Sequence, residues 1–371
     1  MKPKLRIGLI GTGFMGKAHV FGFTSAPRVF DLPMAIELHT VADMTPEAAE
    51  RAAQTLGFSH STADWRAIIA NPEIDLVDIT APNALHKEMS LAAIAAGKHV
   101  YCEKPLAPLA ADAREMAEAA EAKGVKTQVG FNYLCNPMLG LAREMIAAGE
   151  LGELRGYRGL HAEDYMADAE GVYGFRHDPA GGGALADIGS HALATAEFLC
   201  GPITMVMGDC VTMISARPDG KGGRKPVVVD DVGRAFLRFE SGATGSVEGN
   251  WIATGRKMQH DFEVYGTKGA LAFSQEHFNV LNYFSTADTK GRQGFRRIEA
   301  GPDHAPYGLF CVAAGHQLGF NDLKAIEVAG YVNAIADKGL EPYNFRKGLR
   351  IQTLVETIQT SSREGHWLDV G

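Results

Sequence analysis

The chain has 371 residues and a formal net charge of −8, with 46% hydrophobic and 22% charged residues. At about 150 residues per domain this length predicts two domains, and 43 glycines and 16 prolines fall short of a disordered composition. An acidic surface repels phosphate backbones, which argues against nucleic acid as a partner.

The N-terminus is basic, but Gly8 and Gly11 break its apolar run, which leaves it too short for a secretory leader. No stretch approaches the roughly 18 apolar residues of a membrane span. Five cysteines, at 102, 135, 200, 210 and 311, form no CxxC pair, a pattern that fits a reducing compartment. The expectation is a soluble cytoplasmic protein without a membrane partner.

In chain order, short apolar runs at 5–10, 36–42, 76–80, 99–102 and 127–129 read as buried strands. Ala-rich stretches at 46–56, 86–96 and 111–123 read as helices, with Gly57, Gly97 and Gly124 as stops. This alternation predicts a doubly wound parallel sheet over residues 1–132. From 133 to 371 the texture changes. A helix is expected at 139–148, a Gly-rich passage follows, and a further helix is expected at about 184–199. Strand-like runs come next at 204–215, 227–240, 243–252, 258–265 and 270–273, separated by turn residues. Helical patterns at about 315–338 and 346–361 close the chain. This second domain reads as α+β, a mostly antiparallel open sheet with helices on one face.

Gly11-Thr12-Gly13-Phe14-Met15-Gly16 is a G-x-G-x-x-G that follows the first strand and opens a helix, the context of a Rossmann dinucleotide loop. Gly11 serves the tight turn, Gly13 the approach of backbone N–H groups to a pyrophosphate, and Gly16 close helix–strand packing. Asp43, at the end of the second strand, suits the two ribose hydroxyls of NAD and would repel a 2′-phosphate. Its separation from the loop exceeds the usual ~20 residues, an excess assigned here to an insertion around residues 25–33.

Two further motifs lie at strand ends, where doubly wound sheets bind ligands. Thr80-Ala81-Pro82-Asn83 precedes His86, and Glu103-Lys104-Pro105 ends the fifth strand. Lys104 either pairs with Glu103 or hydrogen-bonds a substrate hydroxyl. In the stretch of residues 181–191, Asp187 and His191 are spaced i, i+4 and share a helix face. They read either as a general base beside a carboxylate or as a capping Asp with an unrelated core His.

Together the glycine loop, Thr80–Asn83 with His86, Glu103-Lys104-Pro105, the Asp187/His191 stretch and the Gly266-Thr267-Lys268-Gly269 turn resemble the Gfo/Idh/MocA oxidoreductases. The resemblance spans nearly the whole chain. It implies a nicotinamide-dependent dehydrogenase acting on a secondary hydroxyl of a sugar or cyclitol. Lys104 would orient that hydroxyl, His191 exchange its proton and Asp187 hold and polarise the site. It also implies a homodimer or homotetramer built through the open face of the second sheet, and a cis Lys–Pro bond. Phe345-Arg346-Lys347-Gly348 and the loop at 301–320 depart from the family pattern.

Asn132 is a further candidate for the cofactor, and Tyr133, Tyr165, Arg176 and His316 for the substrate, His316 by reaching a neighbouring subunit. His161, Glu163, Asp164 and His177 are metal-ligand types without a tight i, i+4 pair, so no metal is expected. The sequence thus predicts an NAD-dependent dehydrogenase of an inositol, anhydrosugar or aldohexose, with scyllo- or myo-inositol favoured. The alternatives are an NADPH-dependent reductase of a keto or anhydro sugar and a non-catalytic NAD-binding protein of the same fold.

Overall fold

Short apolar segments separated by amphipathic Ala-rich ones can satisfy their backbones only by pairing as strands covered by helices. A computed structural model, which describes residues 2–339 and 343–371, realises this in the first part of the chain. The strands are β1 (Lys4–Ile10), β2 (Ala35–Ala42), β3 (His60–Thr62), β4 (Leu76–Ile79), β5 (His99–Cys102) and β6 (Thr127–Val129). The helices between them are α1 (Phe14–Val29), α2 (Pro46–Leu56), α3 (Trp65–Ala70), α4 (His86–Ala95) and α5 (Ala110–Lys123). All pairs are parallel, in the order β3-β2-β1-β4-β5-β6. Leu5, Leu9, Val77, Ile79 and Val100 are buried in this sheet. The order reverses between β1 and β4, the crevice where such sheets bind ligands. α2 shows the local logic. Thr45 accepts a hydrogen bond from the Ala48 N–H, Pro46 takes the first turn, and Gly57 stops the helix in the left-handed region,.

The expected insertion at 25–33 is instead the end of α1. The helix runs through Pro27 to Val29, and the long spacing from the loop to Asp43 is filled by this helix, a short return and β2.

The second part begins with α6 (Pro137–Ala147) and β7 (Leu154–Ala162). A π-turn at Leu185–Gly189 leads into α7 (Ser190–Cys200), followed by β8 (Ile203–Val211) and the small pair β9 (Ala216–Pro218) and β10 (Arg224–Pro226). The sheet continues with β11 (Val232–Phe239), β12 (Thr244–Asn250), β13 (Gln259–Gly266), β14 (Gly269–Ser274), β15 (Val280–Ser285) and β16 (Arg296–Glu299). After α8 (Tyr307–Phe310) come α9 (Phe320–Ile335), α10 (Phe345–Glu364) and β17 (Leu368–Asp369). The large sheet has the order β16-β15-β14-β13-β7-β12-β11-β8-β17. Only β7–β12 is parallel among its described pairs. β7, which the sequence reading passes over as a Gly-rich passage, lies near the middle of this sheet.

Compactness divides the chain into Met1–Cys135 with Gly319–Arg350, and Asn136–Leu318 with Ile351–Gly371. A single boundary at 132/133 therefore misplaces the late segment. α9 belongs to the first unit because it packs on α1: a Cβ at Gly22 would come 2.9 Å from the Lys324 carbonyl oxygen, and Phe14 and Phe320 stack at 5.8 Å. The Phe345–Gly348 departure starts α10 on that unit, with Arg346 paired to Glu121 on α5 and Gly348 packed against Leu106 and Val129. Among the described residues no helix is long and apolar enough to cross a membrane.

Candidate active site

In the first unit the glycine loop is built by close contacts. Gly11 has φ +96 and donates its N–H to the Ala42 carbonyl at 3.0 Å. The Thr80 hydroxyl donates to the Gly11 carbonyl at 2.8 Å. A Cβ on Gly16 would lie 2.3 Å from the Gly11 oxygen, whereas one on Gly13 would meet no protein atom within 4 Å. Gly13 therefore faces an open cradle at the start of α1, where backbone N–H groups and the helix dipole favour an anion. Phe14 flanks it, 73% exposed, and Met15 is half-buried. Asp43 accepts hydrogen bonds from the Thr12 hydroxyl and, at 2.7 Å, from the Met44 N–H, so its carboxylate is fixed at the end of β2. These groups fit a dinucleotide with a free ribose.

The other predicted cofactor residues divide. Ala81 and Pro82 form the turn after β4, and Asn83 opens a single helical turn. His86 is fully buried, and its ring nitrogens lie 2.9 Å from the Ala81 oxygen and 3.0 Å from the Pro105 oxygen. Burial pushes its pKa down. It ties two turns together. Asn132 is buried, and its Nδ2 has no protein partner among the described residues. Tyr133 lies beside Phe320, with ring centroids 6.1 Å apart.

Glu103 is likewise internal. One carboxylate oxygen meets His19 Nε2 at 2.9 Å and Lys324 Nζ at 3.0 Å, and the other accepts the Lys104 N–H at 3.0 Å. Burial alone would raise this carboxyl, but Lys324 and His19 hold it well below the usual carboxylate range. The Lys104–Pro105 peptide is cis, as the resemblance implies. The cations bonded to this carboxylate are His19 and Lys324, and the Lys104 charge adds to their effect.

In the second unit the functional groups converge on the π-turn. Asp230 starts it: the Leu185 N–H donates to its carboxylate at 2.7 Å, and the Ala184 N–H to its carbonyl at 2.9 Å. Burial raises the Asp230 carboxyl to about 6. The neighbouring Asp231 accepts from Trp251 Nε1 at 2.8 Å. Within the turn, Asp187 is buried and one of its oxygens accepts from both the Tyr165 hydroxyl and Arg176 Nε, each at 2.8 Å. Burial and Asp187 together raise the Tyr165 phenol well above its ordinary value, so it stays a donor. One turn on, His191 is buried beside His161, ring centroids 5.5 Å apart, and His161 stacks on His260 at 4.9 Å. Burial and His161 hold His260 well below its ordinary pKa.

The metal-ligand types disperse. His161 bonds Glu163, Asp164 pairs with Lys257, and His177 Nδ1 accepts the Gly174 N–H. Among the described residues no group of three or more His, Cys, Asp or Glu is placed to hold a metal ion. His316 lies exposed between α8 and α9 and is not among the groups bonded to Asp187. Sequence reasoning missed His19, Lys324 and Asp230. The signals available were a His three residues after the last loop glycine and an Asp pair inside the apolar run Val227–Val232.

Residues 5–131 match an oxidoreductase family described by its NAD-binding Rossmann fold, and residues 140–272 match the GFO/IDH/MocA C-terminal domain. The chain belongs to the GFO/IDH/MocA oxidoreductase family. A levoglucosan dehydrogenase of Pseudarthrobacter phenanthrenivorans is 37% identical over 384 residues, covering 99% of this chain and 98% of that protein. The scyllo-inositol 2-dehydrogenase (NAD(+)) of Bacillus subtilis is 28% identical, covering 76% and 78%. The solved structure of a levoglucosan dehydrogenase in complex with NADH and levoglucosan matches with a TM-score of 0.95 at 37% identity, over 99% of each chain. An NAD-binding oxidoreductase from Klebsiella pneumoniae matches with a TM-score of 0.94 at 39% identity, again over 99% of each chain. This family member is an NAD-dependent dehydrogenase of the sugar and cyclic-polyol class, as the family resemblance implies, with NAD as the glycine loop and Asp43 lead one to expect.

Proposed function

We propose that this dehydrogenase oxidises a secondary hydroxyl of an anhydrosugar of the levoglucosan kind. Bound NAD would supply the hydride acceptor. In this reading the hydroxyl proton passes to His191, and the Lys104 ammonium steadies the developing alkoxide, an electrostatic effect often worth ~3 kcal/mol per donor. Asp187, held by Tyr165 and Arg176, polarises His191's end of the site.

The observation that carries these roles is the Asp187 turn. A carboxylate buried with two donors on one oxygen is a preorganised charge,, and it stands one turn before the imidazole. The choice of an anhydrosugar over an inositol leans on 37% identity to a levoglucosan dehydrogenase against 28% to a scyllo-inositol dehydrogenase. The test is NAD reduction, followed by absorbance, with levoglucosan, myo-inositol, scyllo-inositol and glucose. The expected result is a kcat/KM for levoglucosan at least tenfold above the others. Preference for an inositol would overturn the substrate assignment, and failure to reduce NAD with any of them would overturn the roles.

We also infer a homodimer or homotetramer that works in the cytoplasm. The sheet face bearing Arg158, Phe236, Glu248 and Glu263 holds a hollow of about 790 Å³, and Phe236, which lines it, is 63% exposed. Paired copies would bury that ring. Light scattering of wild type and Phe236→Glu tests this, with dissociation expected for the variant. All five cysteines are unpaired, which suits a reducing compartment.

A further inference from the structure

His19 lies one turn into α1, the helix opened by the glycine loop. Its Nδ1 is 2.8 Å from an Asp78 oxygen on β4, and its Nε2 is 2.9 Å from a Glu103 oxygen at the end of β5. Only the imidazolium carries N–H groups on both nitrogens, so two carboxylates fix this ring as a cation. Tyr101 stacks on it at 4.3 Å, and His19, Asp78 and Lys324 are wholly buried. Lys324, from α9, reaches the same Glu103 oxygen at 3.0 Å and Glu327 at 2.9 Å.

A cation pair thus clamps one oxygen of Glu103, and the other oxygen accepts the Lys104 N–H at 3.0 Å. The clamp is tight on its far side as well, since a Cβ on Gly130 would come 2.4 Å from Glu103. Burying five ionised groups is costly, and well-packed apolar residues often give equal or greater stability. Stability alone therefore does not account for the cluster, and its bond to the backbone of Lys104 gives it a second use.

We propose that His19 is a positioning residue for the dehydrogenation: its imidazolium holds the Glu103 carboxylate, which fixes the backbone from which Lys104 projects. Because His19 rides on α1, the clamp also ties Lys104 to the helix that begins at the glycine loop. The proposal rests on the reading of Lys104 as the amine that meets the substrate hydroxyl.

The test compares His19→Gln, Glu103→Asp and Lys104→Met with wild type in the full-length enzyme. Four measurements are made: kcat and KM for the oxidised sugar, NADH affinity by fluorescence titration, unfolding by circular dichroism, and amide exchange of the peptide containing Lys104. His19→Gln is expected to lower kcat at least tenfold while NADH affinity stays within threefold. Exchange at Lys104 should accelerate at least tenfold, with the glycine-loop peptide unchanged. Adding His19→Gln to Lys104→Met should lower kcat by less than twofold. A folded His19→Gln with kcat and Lys104 exchange both within threefold of wild type overturns the proposal. So does a kcat loss matched by an equal loss of NADH affinity. If His19→Gln does not fold, Glu103→Asp decides on the same measurements, since it keeps the charge but shortens the reach to Lys104. Near-normal turnover of Lys104→Met would instead overturn the reading of Lys104 itself, whatever His19 does.

Discussion

Replacing Gly13 by alanine separates folding from cofactor binding in a way that Gly16→Ala does not. Gly13 has φ −67 and ψ −163, an extended conformation open to any residue, and its Cβ would meet no protein atom within 4 Å. The folded state therefore gains no clash, while the unfolded chain loses freedom worth about 0.4–1 kcal/mol. Gly13→Ala is expected to leave urea stability unchanged or slightly raised. The same methyl fills the cradle at the start of α1, and NADH affinity should fall at least tenfold, about 1.4 kcal/mol. At Gly16 the Cβ would stand 2.3 Å from the Gly11 oxygen, about 1 Å inside ordinary contact, and overpacking of this kind costs about 1–3 kcal/mol. Gly16→Ala should lose stability and NADH binding together. Urea unfolding and NADH fluorescence titration read the two quantities. Wild-type NADH affinity in Gly13→Ala would refute the placement of an anion on that loop, and destabilisation as large as that of Gly16→Ala would refute the steric argument.

Asp43→Asn weakens the acceptor for the two ribose hydroxyls and removes the charge that repels a 2′-phosphate, so NAD should bind about tenfold more weakly while NADP changes by less than threefold, measured by competitive titration. Tyr165→Phe deletes a donor to a buried carboxylate, worth about 1.5–3 kcal/mol. Sugar kcat/KM should drop at least tenfold in steady-state assays with NADH affinity unchanged. Asp230 gives a stability prediction with a definite sign. Its folded carboxyl sits at about 6 against 3.8 for the ordinary group, so the folded state holds its proton to higher pH. Its contribution is full below pH 4 and is lost as pH rises through about 6, a change of up to about 3 kcal/mol. Asp230→Asn keeps an acceptor for the Leu185 N–H, and the wild-type-minus-variant difference in urea stability between pH 4.5 and 7 should report that loss.

Much of the first unit was legible because its signals are local. Continuous apolar strands, Ala-rich helices and the left-handed stops at Gly57, Gly97 and Gly124 each depend on a few neighbouring residues. The second sheet was read less fully. β7 runs Leu-Arg-Gly-Tyr-Arg-Gly-Leu-His-Ala, with glycines where strand-forming side chains would be expected. It is a strand because β12 and β13 supply partners on both sides, information that lies about 90 to 110 residues further on. The same holds for α9, whose place in the first unit depends on Gly22 of α1 admitting its backbone.

The site divides along the same line. Asp187, Lys104 and Glu103 stand in recognisable motifs, but a motif names a charged group without naming what satisfies it once buried. An ionised group removed from water needs an opposite charge or several donors, and for Glu103 the structure supplies one from a distant segment. Glu103 is met by Lys324, 221 residues away, and the turn holding Asp187 starts on Asp230, 45 residues from Leu185. Tyr165 and Arg176, candidates for substrate contact by residue type, bond Asp187. Yet the bond engages only the Nε of Arg176, whose side chain is 38% exposed, and a guanidinium has four further N–H donors. Arg176 therefore retains the capacity to meet a sugar hydroxyl while it holds the carboxylate, so its two readings are compatible rather than rival.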